Sequence, residues 1–249
     1  NTSEAEIKAA QTAGRECVLG LGTGQSLTPV FEELIRRHEE GLSFANVVVF
    51  NAYEYFPLKV GSKNSSLHKL HELFLDKVDI KACNIFSPDG TIGQDNVQAH
   101  CRAYEQTIAD KGGLDIIVLG IGRMGNIATN EPGSTITSTS RIILTDAISR
   151  EEMTMSFGSQ EPVPPCTLTM GVATILKAKK IFLTAWGDEK ANIIEKTVEG
   201  PITDTIPATF LQTHNDATVV IDLAAAAKLT RIVRPWLVTN CEWTDKLTR

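Results

Sequence analysis

The chain has 249 residues, 42% of them apolar, and a formal net charge of −6. That length admits one large α/β domain or two small ones, and the acidic balance argues against a nucleic-acid partner or an anionic membrane surface. No apolar run approaches the ~20 residues that a membrane-spanning helix needs, so no membrane partner is expected.

Residues 3–10 read as a capped amphipathic helix. Cys17–Leu21 is a short apolar strand, followed by the glycine turn 22–26 and a helical pattern with Val30, Phe31, Leu34 and Ile35 on one face. Residues 46–50 (NVVVF) are a second strand, apolar enough to be buried on both faces. It runs into a loop, 51–57, carrying Tyr53, Glu54, Tyr55 and Pro57. Residues 64–78 form a helix with Leu67, Leu70, Leu73, Phe74 and Val78 inward, and 88–90 (Pro-Asp-Gly) make a turn. A helix over 94–111 ends at Gly112 and Gly113. Residues 116–119 are a buried strand that breaks into Gly120, Gly122 and Gly125, and Pro132 bars a helix from continuing past 130–134. Arg141–Leu144 is a strand, 162–165 a loop, 168–178 an apolar helix and 180–186 a strand. Gly187 then opens a helix through Glu199, which Gly200 and Pro201 end. Pro207–Thr213 is a short helix, Ala217–Ile221 a strand and 224–229 a helix.

Strands alternating with helices predict an α/β fold, a mostly parallel sheet flanked by helices and joined by right-handed crossovers, in one domain. Ligands collect at the carboxyl ends of such strands. Four loops leave those ends: 22–26, 51–57, 120–134 and 187–190.

Residues 22–26 bring two glycines and the hydroxyls of Thr23 and Ser26 to the start of a helix. Exposed N–H groups and the helix dipole suit an anion there, although an ordinary tight turn has the same look. Lys190 sits in the first turn of a helix, where a cation is unfavourable by a few tenths of a kcal/mol unless it meets an anion; a solvated lysine is the alternative. Gly120-x-Gly122-x-x-Gly125 matches a dinucleotide fingerprint, but that motif requires a helix directly after it and Asn-Glu-Pro-Gly follows instead. No dinucleotide cofactor is therefore expected there. Five cysteines are scattered without a C-x-x-C pair, which suits reduced thiols in a cytoplasm rather than a disulfide framework or a zinc site. His68 and His71 share a helix face but have no acidic cluster beside them, so no metal is expected. Glu131 is the first acid–base candidate and Glu54 the second; either could instead be satisfying loop amides.

Asn51-x-x-Glu54-Tyr55, the 120–134 loop ending Asn-Glu-Pro-Gly-Ser, Leu168-Thr-Met-Gly-Val172 and Val198-Glu-Gly-Pro201 occur in order, joined by Leu211-Gln-x-His214 and Ala217-Thr-Val-Val. Together they resemble glucosamine-6-phosphate deaminase (glucosamine-6-phosphate isomerase) over nearly the whole chain, and most of all bacterial two-domain variants with a deacetylase-like second domain. The resemblance implies one deaminase-like domain over 1–249 within a longer polypeptide, with the tail from Arg234 through Cys241 as the link. It implies the sugar-phosphate isomerase fold shared with ribose-5-phosphate isomerase. It also implies conversion of glucosamine 6-phosphate to fructose 6-phosphate and ammonia without a cofactor, and it leaves room for a homo-oligomer. The family's phosphate loop falls on Thr23, Gly24, Gln25 and Ser26, its phosphate lysine on Lys190 and its supporting glutamate on Glu131.

Other family positions are substituted. The proton-abstracting aspartate falls on Tyr53, the ring-opening Asp and His on Met124 and Asn126, and a phosphate-contacting arginine near Met155. General acid–base groups each contribute roughly 10²–10⁴ in rate. A tyrosine of pKa ~10 is a poor base at neutral pH, and Met124 and Asn126 have no proton to shuttle. The expectation is a phosphosugar-binding protein of weak or altered deaminase activity. A non-catalytic sugar-phosphate sensor, or a different phosphosugar isomerase or lactonase, stays open beside it.

Overall fold

The computed structural model describes residues 2–154, 157 and 162–237. Among the described residues, nine strands form two sheets: β1 (Cys17–Leu21), β2 (Val47–Asn51), β3 (Tyr53–Phe56), β4 (Ile85–Phe86), β5 (Ile116–Gly120), β6 (Arg141–Leu144), β7 (Cys166–Thr169), β8 (Lys180–Ala185) and β9 (Ala217–Ile221). The larger sheet runs β4-β2-β1-β5-β8-β9 and every pairing in it is parallel. The helices are α1 (Thr2–Thr12), α2 (Thr28–Glu39), α3 (Ser66–Leu73), α4 (Val97–Asp110), α5 (Ala147–Thr154), α6 (Val172–Leu176), α7 (Ala191–Glu199) and α8 (Thr230–Val233).

A parallel sheet is covered on both faces over its central strands, so those strands are largely apolar and alternate residues serve opposite cores. Val18, Val48, Phe50, Ile117 and Leu119 point to one face, where they meet Tyr104 and Ile108 of α4, Ile175 of α6 and Ile193 and Ile194 of α7. Leu19, Leu21, Val47, Val49 and Ile116 point to the other, against Ile7 of α1, Phe31 and Leu34 of α2 and Leu70 of α3, with Phe74 just beyond it. Phe31 and Phe74 stack there at 5.3 Å between ring centroids. Each such fully buried side chain is worth about 1.5–3 kcal/mol in transfer free energy.

The smaller sheet is antiparallel, in the order β3-β7-β6, with Thr169 of β7 opposite both Tyr53 and Arg141. It is anchored at the end of β2, where the Met170 amide donates to the Ala52 carbonyl at 2.9 Å. Phe56, Leu168, Val97 and Cys101 form its small core.

This second sheet accounts for most departures from the expected elements. Residues 53–56, expected in a loop, are β3. Arg141–Leu144 is a strand as expected, but it belongs to the antiparallel sheet. Residues 168–170, expected to open a helix, lie in or just after β7, and α6 starts only after the N-cap Gly171. A short apolar run does not by itself separate strand from helix; here Thr167 and Thr169 are buried against Thr129. The helix expected over 64–78 stops at Leu73, and Leu75–Lys77 is a tight turn. Residues 223–228, most of the last expected helix, are turns held by the Asp222 carboxylate on the Ala225 amide, and α8 follows them. The two-residue β4 had no expectation attached. The expected interdomain link past residue 237 lies outside the described residues. Among those residues, no helix is long and apolar enough to cross a membrane.

Candidate functional site

The sheet order sets β1, β5 and β8 side by side with the same polarity, so the loops 22–26, 120–134 and 187–190 emerge together. The turn Gln25–Leu27 leads into α2, and its N-cap, Gly24, has no side-chain cap. Unfilled amides at such a place can take an anion. The turn is clamped from β8: the Trp186 indole N–H donates to the Ser26 carbonyl at 2.8 Å and the Thr184 hydroxyl to Ser26 Oγ at 3.1 Å. It also needs Gly120, because a Cβ there would lie 2.5 Å from Ser26 Oγ.

Thr23 Oγ1 lies 3.0 Å from the Tyr53 hydroxyl and 2.9 Å from Ser66 Oγ. Ser66 donates onward to Asn51 Oδ1 at 3.2 Å, and the Asn51 amide group donates to the Tyr53 carbonyl and to Ser87. Each hydroxyl has one proton. Ser66 spends its proton on Asn51 and so accepts from Thr23, which in turn accepts from Tyr53. The chain runs one way, Tyr53 to Thr23 to Ser66 to Asn51. Burial holds the Tyr53 phenol above its ordinary pKa despite these partners, so Tyr53 is a neutral donor.

Glu54 is 3% exposed and every direction around its carboxylate is filled. Oε1 accepts from the Tyr55 and Ser66 amides at 2.9 and 2.7 Å; Oε2 accepts from Ser65 Oγ and the Leu67 amide at 2.6 and 3.1 Å. Three of these donors belong to the start of α3, whose N-cap is Ser65. Glu54 thus closes the positive end of a helix. Burial still raises its pKa, outweighing the four donors.

Glu131 is 4% exposed. Oε2 accepts from Ser149 Oγ of α5 at 2.9 Å, while Oε1 is buried with no hydrogen-bond partner. Burial, and then the charges of Asp146 and Glu152, raise its pKa. A buried carboxyl with a raised pKa and one unspent oxygen is a candidate proton-transfer group. The surrounding loop is tied at many points. Asn130 donates to the Ile127 and Met170 carbonyls and accepts from Arg141, which also donates to Ser134 Oγ at 2.7 Å. Ala128 adopts φ +49°, in the left-handed region.

Asn126 is 7% exposed, its Oδ1 is buried without a partner, and its amide packs where a side chain at Gly122 would sit. Met124 is half-buried in the same turn. Met155 lies outside the described residues. Lys190, 17% exposed, has its Nζ 3.9 Å from Glu152 Oε1, and Arg123 Nε is 3.1 Å from the same oxygen.

The structure thus brings residues 23–26, Tyr53, Glu54, Asn126, Glu131 and Lys190 to one end of the sheet. Arg123, Ser149, Glu152 and Trp186 join them without having been singled out from sequence. Arg123 carried a legible signal, a cation between two glycines at a strand's end. The α5 residues carried none, since nothing local ties them to the sheet. Among the described residues, no group of three or more His, Cys, Asp or Glu side chains could hold a metal.

Residues 1–220 match the family described as glucosamine-6-phosphate isomerases/6-phosphogluconolactonase. A glucosamine-6-phosphate deaminase-like protein of Bacteroides thetaiotaomicron is 59% identical over 244 residues, 98% of this chain. The chain spans only 37% of that protein's length. Glucosamine-6-phosphate deaminase 1 of Bacillus subtilis is 38% identical over 213 residues, covering 85% of this chain and 87% of its own. Among solved structures, a monomeric glucosamine-6-phosphate deaminase superposes with a TM-score of 0.83 at 38% identity, over 90% of this chain and 93% of its own. A 6-phosphogluconolactonase from Thermotoga maritima shares the fold, with a TM-score of 0.68 at 18% identity over 88% and 91% of the two chains.

Proposed function

Because the chain belongs to the glucosamine-6-phosphate isomerase/6-phosphogluconolactonase family, we propose that it binds a phosphorylated hexose or amino sugar at the loops 22–26, 120–134 and 187–190, and that its deaminase chemistry is weak or altered. The phosphate is held by the amides and hydroxyls of Thr23, Gly24, Gln25 and Ser26 and by the Lys190 ammonium. Supporting this are the uncapped turn before α2 and a lysine carried into the same cluster by the loop after β8. No cofactor takes part, and a cytoplasmic location belongs to the same reading.

The observation that carries the second half of the proposal is the one-way chain from Tyr53 to Asn51. Isomerisation between C1 and C2 needs a base, and a half-buried neutral phenol that donates its proton inward does not supply one. Glu54, next in sequence, is spent on α3. Glu131 keeps one buried oxygen without a hydrogen-bond partner, so whatever proton transfer persists is assigned to it. If Glu131 is not used in this way, the same geometry describes a sensor that binds a phosphosugar without turning it over.

Thermal-shift scans with hexose 6-phosphates test the binding claim, and no shift with any sugar phosphate overturns it. An ammonia-coupled assay run beside the Bacillus subtilis deaminase tests the chemistry. Comparable turnover overturns the claim of weak activity.

A further inference from the structure

One carboxylate sits between the two cations of the loop cluster. Glu152, on α5, places Oε1 3.1 Å from Arg123 Nε and 3.9 Å from Lys190 Nζ. Its second oxygen lies 3.5 Å from the Arg123 backbone amide. Arg123 belongs to the loop after β5 and Lys190 to the turn after β8, adjacent strands of the sheet. Two loops separated by 67 positions in sequence therefore aim positive charge at one point, and an acid from a third element fills it. Among the described residues, neither cation forms another ion pair.

Arg123 stands beside the substituted Met124, inside the glycine turn, with about half of its side chain exposed. An arginine fork can meet a phosphate through two N–H groups, which the Lys190 ammonium, a point charge, does not do. A carboxylate offers two oxygens and one negative charge; a phosphate monoester offers three and nearly two charges. The same two cations hold the phosphate more strongly than they hold Glu152.

We propose that Arg123 and Lys190 are a two-cation anion site, and that Glu152 is a built-in carboxylate competitor that a phosphosugar must displace. This deepens the phosphosugar reading and rests on it. Apparent affinity is then the intrinsic affinity reduced by the fraction of molecules in which Glu152 has left the site. The competitor also sets a threshold, since a singly charged carboxylated or neutral sugar gains too little from the cations to displace it.

The test is calorimetric titration of the full chain with fructose 6-phosphate and with inorganic phosphate, using the wild type, Glu152→Gln and Arg123→Met. Glu152→Gln keeps shape and removes charge; it is expected to tighten both ligands about three- to tenfold, as loss of a part-exposed ion pair allows. Arg123→Met is expected to weaken both by about tenfold or more, through loss of a charge-assisted contact. Glu152→Ala serves as the second variant if the glutamine chain folds poorly, with the same expected direction. Wild-type binding that neither Glu152 variant tightens overturns the competitor and leaves the phosphosugar reading standing. Arg123→Met binding as tightly as wild type removes Arg123 from the site. Absence of binding in every chain, including Glu152→Gln, overturns both this inference and the reading beneath it.

Discussion

The Tyr53 hydroxyl lies 3.0 Å from Thr23 Oγ1, and the bonds from Thr23 through Ser66 to Asn51 Oδ1 are satisfied in sequence when Tyr53 is the donor. Tyr53, which the resemblance places where a proton-abstracting aspartate is expected, is thereby tied to the proposed anion-binding turn as a donor. It stiffens the floor of the site and does not take protons from it.

Restoring Tyr53→Asp, Met124→Asp and Asn126→His together is expected to raise ammonia release from glucosamine 6-phosphate over the wild type. Each recovered acid–base role is worth roughly 10²–10⁴ in rate, so even partial recovery is measurable in a coupled assay. A triple variant that folds, binds and stays at the wild-type rate shows that the pocket has diverged beyond these three positions.

Lys190→Ala is expected to abolish the thermal shift produced by hexose 6-phosphates. A ligand at about 100 times its Kd stabilises a protein by roughly 2.7 kcal/mol, which a melting scan resolves easily. An undiminished shift in the variant moves the phosphate away from Lys190.

Glu54→Ala removes the carboxylate from the N-terminus of α3 and leaves the Ser66 and Leu67 amides without their acceptor, while the N-cap Ser65 stays. The expected loss is about 1–3 kcal/mol of folding free energy, read from urea denaturation midpoints. Stability equal to the wild type would free Glu54 from its capping role and return it to the list of acid–base candidates.

Glu131 gives the fold a pH signature. Its pKa is raised in the folded chain above the ordinary carboxylate value of 4.5, by burial first. Between the unfolded and folded values the folded chain holds the extra proton, so its contribution is present below the lower value and is lost as pH rises through the upper one. Glu131→Gln is expected to flatten that part of the stability–pH curve, with the two chains converging at low pH. Parallel curves for wild type and variant across this window would show that Glu131 titrates normally.

Gly120→Ala forces a methyl to 2.5 Å from Ser26 Oγ. Overpacking of this kind costs about 1–3 kcal/mol. Because the clash is with the turn proposed to hold the phosphate, phosphosugar affinity is expected to fall along with the denaturation midpoint. Unchanged affinity would separate the turn from the ligand.

The parallel sheet was legible because its strands are uniformly apolar and bounded by glycine turns, as in residues 17–21 and 116–120. The antiparallel sheet was not, because β3 (Tyr-Glu-Tyr-Phe) and β7 (Cys-Thr-Leu-Thr) are only four residues long, too short for a pattern to separate a strand from a loop or from the opening of a helix. The placement of residues 23–26 and Lys190 just past strand ends was legible. What each carboxylate does was not. Glu54 and Glu131 look alike in sequence, and only the donors around them, supplied by α3 for one and α5 for the other, tell them apart. Glu152 was hidden for the same reason, since its meaning comes from two loops distant in sequence.

Ala128 holds a backbone conformation that alanine disfavours by roughly 1–3 kcal/mol. The wall it belongs to is therefore not a shape the peptide would choose; Thr167, Thr169, Met170 and Arg141 impose it from the small sheet. A segment cut out as 120–134 would relax into something else. Glycine at 128 would make the curve easy to adopt and also easy to leave, exchanging a prestressed wall for a pliable one. The alanine works here like tension in a sprung frame, since the loop keeps its form only while the sheet behind it is intact.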